Sequence, residues 1–169
     1  MLVSADGKGV PAGIAGAPAV CGVESVAVDP RDPKVVYLAF SGARAGSLAK
    51  QYPSIPGSIY KSTDGGVTFT GSDLAIDMEP NGRWRTYGER LQVDPLNSRV
   101  LFYGSVKQGV FRSADGGKSW KPVAGGGAPA ANDNVLAIHH ATAAGTVQRD
   151  GLVVCKDLYQ RSGEIFMPC

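Results

Sequence analysis

The 169-residue sequence is poor in the features that usually announce a specialised chain. Its three cysteines, Cys21, Cys155 and Cys169, are scattered and never fall in Cys-x-x-Cys spacing, so they mark no metal site, and an odd number says little about redox compartment. They read as buried or incidental thiols. No apolar run approaches the roughly 18 residues that span a bilayer, and the start, MLVSADG, lacks the basic and apolar regions of a signal peptide. Seventeen Lys and Arg against 15 Asp and Glu leave a net charge of only +2, with no basic stripe. That balance argues against nucleic acid or an anionic membrane as the main partner. His139 and His140 are adjacent, so on a strand they face opposite sides and cannot chelate one metal together; a strand-end pair with one exposed ring is expected. No metal and no cofactor is implied.

What the chain has in excess is glycine, 23 residues, with 11 prolines, about twice the usual glycine share. With Val-rich runs between, this punctuation favours short strands and tight turns over long helices.

The informative feature is self-similarity. Ser58–Phe69 (SIYKSTDGGVTF) has a near twin in Gly109–Trp120 (GVFRSADGGKSW), and Val26–Pro30 (VAVDP) returns as Leu91–Pro95 (LQVDP). Asp29 and Asp94 are 65 residues apart, Asp64 and Asp115 only 51, so the first copy carries 14 extra residues, read as a Gly/Ala/Ser/Pro loop over 41–54. Each copy is laid out as four strands. An inner one (25–28; 90–93) closes at Asp-Pro, where proline cannot donate to a ladder. A second (34–40; 99–104) and a third (58–62; 109–113) follow. After the Asp-Gly-Gly turn comes a fourth, around 67–70 and 119–123. In the turn, Asp64 and Asp115 are expected to accept backbone amides and the glycines to supply positive φ. Ser62, Ser113, Thr68 and Ser119 add hydroxyl bonds, and Phe69 and Trp120 pack the hairpin down.

Four-stranded antiparallel units repeating every 50 to 65 residues or so predict an all-β chain of β-propeller blades. The expected division is 1–22, the end of a preceding blade or a linker; 23–72, a blade with the inserted loop; 73–125, a second blade; and 126–169, an incomplete or diverged third. Asn134–Ile138 and Gly163–Phe166 are its recognisable pieces. Closed propellers have four to eight blades, so two to three blades read as part of a larger wheel.

The repeated turn, S-x-D-x-G-x-[ST]-aromatic, resembles the Asp-box, or BNR repeat, through Ser62, Asp64, Gly66, Thr68 and Phe69 and again through Ser113, Asp115, Gly117, Ser119 and Trp120. That box occurs in sialidases, family 74 glycoside hydrolases and sortilin-type receptors, away from the substrate face, so it names an architecture and not a reaction. A longer match narrows the choice. Asn81–Asn97 (NGRWRTYGERLQVDPLN), the strand Val100–Ser105 and Val26–Ala39 (VAVDPRDPKVVYLA) are similar to family 74 enzymes, and together the resemblance covers about residues 23 to 125. It implies a secreted, extracellular or periplasmic, inverting xyloglucanase or endo-β-glucanase with two seven-bladed propellers. The family's early Asp-x-Gly-Gly-Ala-Tyr-Arg-like motif, which carries its catalytic base, has no match here, and the Arg-Ile-Pro motif of sialidases is absent. No residue is assigned as catalytic, and the isolated chain is expected to be inactive.

On this reading the segment Asp77–Arg90 lies on the substrate face and serves a polysaccharide, β-glucan or xyloglucan. Trp84 and Tyr87 offer flat faces to sugar rings, while Arg85, Glu89 and Arg90 offer partners to hydroxyls. The same residues also have a structural reading, with Trp84 packed under its own loop and Glu89 paired with Arg90 or Arg85. The remaining blades of a longer parent complete the site. The second functional class in view is a non-catalytic Asp-box propeller acting as a glycan- or protein-binding scaffold.

Overall fold

The computed structural model describes residues 21–42, 57–76, 78, 89–105, 108–123, 135–143 and 146–156, and among them there is no helix. Two four-stranded antiparallel meanders dominate. The first runs β1 (Cys21–Val28), β2 (Val36–Gly42), β3 (Ser58–Ser62) and β4 (Thr70–Gly71), and the second β5 (Leu91–Asp94), β6 (Asn97–Ser105), β7 (Gly109–Ser113) and β8 (Lys121–Pro122). A hairpin of β9 (Val135–Ala143) and β10 (Thr146–Lys156) forms a third sheet, with β9 lying against β5 and β6.

The sequence repeat is also a repeat of hydrogen-bond register. Val26 opposes Leu38 and Leu91 opposes Tyr103 on the inner pairs; Leu38 opposes Tyr60 and Tyr103 opposes Phe111 on the middle pairs; Tyr60 opposes Gly71 and Phe111 opposes Pro122 on the outer pairs. Since β2 ends at Gly42 and β3 begins at Ser58, while β6 ends at Ser105 and β7 begins at Gly109, the extra residues of the first copy fall between its second and third strands.

The fourth strands are shorter than the sequence suggests, two residues each, and both begin later. The turn consumes the chain that would have laddered. Asp64 Oδ1 accepts the amides of Val67 (3.0 Å) and Thr68 (2.9 Å), and its Oδ2 accepts the Thr68 hydroxyl at 2.5 Å. Ser62 Oγ donates to Asp64 Oδ1 (2.7 Å) and accepts Gly66 N (2.8 Å). The second copy repeats these bonds: Asp115 takes the amides of Lys118 and Ser119 at 3.0 Å each and the Ser119 hydroxyl at 2.6 Å, while Ser113 Oγ donates to Asp115 (2.9 Å) and accepts Gly117 N (2.9 Å). Amides aimed at a carboxylate cannot also pair with a neighbouring strand. His139 and His140 differ from expectation too: they stand mid-strand in β9, opposite Val153 and Leu152.

The core lies between the two meanders. Alternate residues of β2 divide between the faces of the first sheet: Tyr37 and Ala39 join Ile59 against Leu91, Val93, Leu101, Tyr103 and Trp120 of the second sheet, while Leu38 and Phe40 pack with Val23, Val36, Tyr60 and Phe69 on the other side. The sheets are stitched at several points. Gly116 O accepts the Lys61 ammonium (3.1 Å) and the Tyr37 hydroxyl (3.4 Å), and Lys61 lies 5.3 Å from the centre of the Tyr37 ring. Asp73, leaving the first sheet, donates its amide to Lys118 O and accepts Trp120 N, both at 3.1 Å. At the far end of β1, Asp29 accepts the Ser98 hydroxyl (2.6 Å) and Arg31 donates to Leu96 O (2.5 Å).

Gly66 and Gly117 are equivalent positions at φ +90° and +83°, but they meet different surroundings. A Cβ on Gly117 would sit 2.9 Å from Tyr37 Cε1, across the sheet interface, whereas on Gly66 the nearest atom, Phe69 Cζ, is 3.8 Å away. Both alanine substitutions strain the backbone, and only Gly117→Ala also forces the sheets apart. Gly117→Ala is therefore expected to cost about 1–3 kcal/mol more than Gly66→Ala, measured by urea unfolding.

The turn carboxyls also set a pH dependence. The hydroxyl and amide of Thr68, then the Ser62 hydroxyl, hold Asp64 well below its ordinary value of 3.8, and the hydroxyl and amide of Ser119 do the same for Asp115. A carboxyl that ionises more readily folded than unfolded contributes stability that is fully present above about pH 4 and is lost as pH falls toward the folded value. Unfolding midpoints followed downward from about pH 6 should thus fall below about pH 4, and Asp64→Asn with Asp115→Asn should flatten that fall.

Candidate functional site

The described end of the segment expected to face substrate is a seam where β1 of the first sheet meets the entry to β5 of the second. The 65-residue repeat aligns Glu24 with Glu89 and Ser25 with Arg90, and the fold brings all four together. Ser25, 3% exposed, is the hub. Its hydroxyl donates to Glu89 Oε2 at 2.6 Å and accepts the amides of Arg90 and Leu91 at 3.1 Å each. One donor and two acceptor positions are the full capacity of a hydroxyl, so Ser25 both satisfies buried amides and holds a carboxylate.

Beneath it, Arg90 and Glu24 form a buried ion pair, Nη2 to Oε1 at 2.5 Å, with side chains 1% and 0% exposed. Tyr103 donates its hydroxyl to Glu24 Oε2. Burial first, and then the neighbouring Glu24 charge, push the Tyr103 hydroxyl well above 10, which keeps it protonated and a donor. The Arg90 carbonyl accepts Gly104 N at 2.8 Å, tying the same residue into β6.

The candidate residues therefore part company. Arg90 is enclosed and its guanidinium meets Glu24; of the two partners that the structural reading offered to Glu89, Arg90 and Arg85, the second lies outside the described residues. Glu89 is exposed beside it, held by Ser25. Trp84, Arg85 and Tyr87 lie outside the described residues, as do Asp77 and Gly163–Phe166. Glu24, Ser25 and Tyr103 went unnoticed in the sequence. The repeat alignment could have found the first two, since a Glu followed by a polar residue occupies the same inner-strand position in each copy.

A buried pair is costly to break because the surviving charge has no water to solvate it. Arg90→Met alone should destabilise the protein by about 3–5 kcal/mol, and adding Glu24→Leu with Tyr103→Phe should recover most of the loss in thermal or urea unfolding.

Comparison with known proteins gives no matching family model. Individual relatives do match. The chain is 40% identical over 103 residues to a xyloglucanase of Acetivibrio thermocellus, covering 60% of this chain and 12% of the relative. It is 35% identical over 118 residues to an oligoxyloglucan-reducing end-specific xyloglucanase of Emericella nidulans, covering 70% and 13%. The chain thus spans about an eighth of the length of these relatives. Among solved structures, the GH74 xyloglucanase of Xanthomonas campestris is similar with a TM-score of 0.51 and 34% identity over 60% of this chain and 13% of that one. The GH74 enzyme of Niastella koreensis is similar with a TM-score of 0.57 and 28% identity over 80% and 19%.

Proposed function

We propose that this chain is a section of the β-propeller of a secreted or periplasmic family 74 glycoside hydrolase, acting on xyloglucan or a related β-glucan with inversion, and that it supplies substrate-face loops and not the catalytic pair. The observation that carries the reading is similarity to xyloglucanases in sequence and in fold at once. The units 23–72 and 73–125 correspond to two blades, 126–169 to a third, and 1–22 to the approach from a preceding one. Trp84, Arg85, Tyr87 and Glu89 contact the glycan, and Arg90 anchors their segment from below.

The chemistry of four of the described carboxylates supports this division of labour. Asp64 and Asp115 are engaged by their own turns, Asp29 by Ser98 and the Arg31 amide, and Glu24 by Arg90 and Tyr103. A carboxylate held by several donors is a poor general base and, once ionised, no acid. Inverting hydrolysis needs two free carboxyls about 6.5–9.5 Å apart, a pair that on this reading comes from elsewhere in the parent.

The purified chain is expected to release no reducing sugar from xyloglucan or β-glucan, and to bind xyloglucan oligosaccharides in calorimetric titration. Sugar release abolished by Glu89→Gln would overturn the supporting role. No binding to any xyloglucan oligosaccharide would overturn the functional reading and favour a scaffold serving another partner.

A further inference from the structure

Glu24 and Glu89 occupy the same place in the repeat yet meet opposite fates. Glu24 is enclosed against Arg90, as a residue with a purely structural part would be. Glu89 stays exposed while its carboxylate is gripped from beneath by a buried serine of the neighbouring sheet. An exposed carboxylate gains little stability from such a grip, since solvent serves it nearly as well. What the grip does supply is a fixed direction, with the entropy of ordering that side chain already met before any ligand arrives.

The next residue is fixed independently. Arg90 is held through its amide by Ser25, through its carbonyl by Gly104 and through its guanidinium by Glu24, so the backbone that carries Glu89 has little freedom. Both anchors, Glu24 and Ser25, belong to the first sheet, 64 or more residues upstream of the residues they hold.

We infer that Ser25 is a positioning residue for Glu89: this glycan-contacting carboxylate, at the entry to the second sheet, takes its direction from the first sheet, through the Ser25 hydroxyl. This rests on the functional reading above and adds to it a residue that does not itself touch the sugar. It makes the blade interface part of the binding site, because any slip between β1 and β5 moves Glu89.

The test is a double-mutant cycle on the full chain, read by calorimetric titration with xyloglucan oligosaccharides and, in parallel, by thermal unfolding. Ser25→Ala should weaken binding about 3- to 10-fold, the worth of one hydrogen bond, and Ser25→Thr, which keeps the hydroxyl, should restore it. Glu89→Ala should weaken binding at least as much, and the double variant should bind no worse than Glu89→Ala alone. Ser25→Ala will also lower stability, since it strips two buried amides of their acceptor. A merely structural serine would add its loss to that of Glu89→Ala, so additive losses overturn the inference, as does unchanged binding by Glu89→Ala. If the unaltered chain binds no xyloglucan oligosaccharide, the functional reading fails and this inference with it, whereas binding with additive losses removes the inference alone.

Discussion

A carboxylate that gathers the amides three and four residues after it decides how each of these sheets ends and, in the second, how it meets the one before it. Asp115 pulls Lys118 and Ser119 into a closed turn, and that closure has two effects. It leaves only two residues for the outer strand, and it turns the Gly116 carbonyl outward to Tyr37 and Lys61 of the preceding sheet. The glycine at 117 is required twice over, by its positive φ and by the Tyr37 ring lying where a side chain would go. One device thus stops the hairpin and seats the sheet on its neighbour.

Because the two sheets share one register, equivalent positions serve as controls for each other. Trp120 enters the core between the sheets, whereas Phe69 packs with Leu38 and Phe40 on the far face of its own sheet. Leu91 and Val93 are 0% and 7% exposed between the sheets, while their counterparts Val26 and Val28 are 37% and 50% exposed. The side chains differ little in kind, so what differs is the neighbour. The cation–aromatic pair is repeated as well: Lys61 lies over Tyr37, and Arg112 over Phe102 at 5.9 Å. The stacking is kept through the change of both residue types, and in the first sheet the pair also supplies the donors for the next sheet's turn.

Local chemistry was legible in the sequence where it is local in fact. The ends of β3 and β7 follow from strand-forming runs halted by Asp-Gly-Gly, and they match at both boundaries, 58–62 and 109–113. The fourth strands were overestimated, because a strand propensity at Val67–Phe69 yields to a side chain that captures the same amides. Arg90 defeated the reading for a different reason. In its own sequence segment it stands among Trp84, Arg85 and Glu89 and looks like one more surface group, while the carboxylate it pairs with, Glu24, comes from another sheet and is shared with Tyr103 of β6. Nothing in spacing along the chain reveals an ion pair closed by two sheets packing face to face.

That same long-range closure is why fold and function are hard to separate in this chain. A repeated turn names an architecture shared by many chemistries, and similarity to xyloglucanases adds a candidate substrate without adding a catalytic residue. The link between the two levels is the seam. If Glu24 and Arg90 were concerned only with packing, an apolar pair of similar volume would commonly do the work at little net cost. Instead the interface carries a saturated hydroxyl and a buried charge pair that hold the two residues leading into β5, with a buried phenol on the Glu24 side of the pair. Polar groups buried in this number constrain geometry more than they add stability. Here the geometry they constrain is the relation of β1 to Glu89 and Arg90, the two residues that lead into β5.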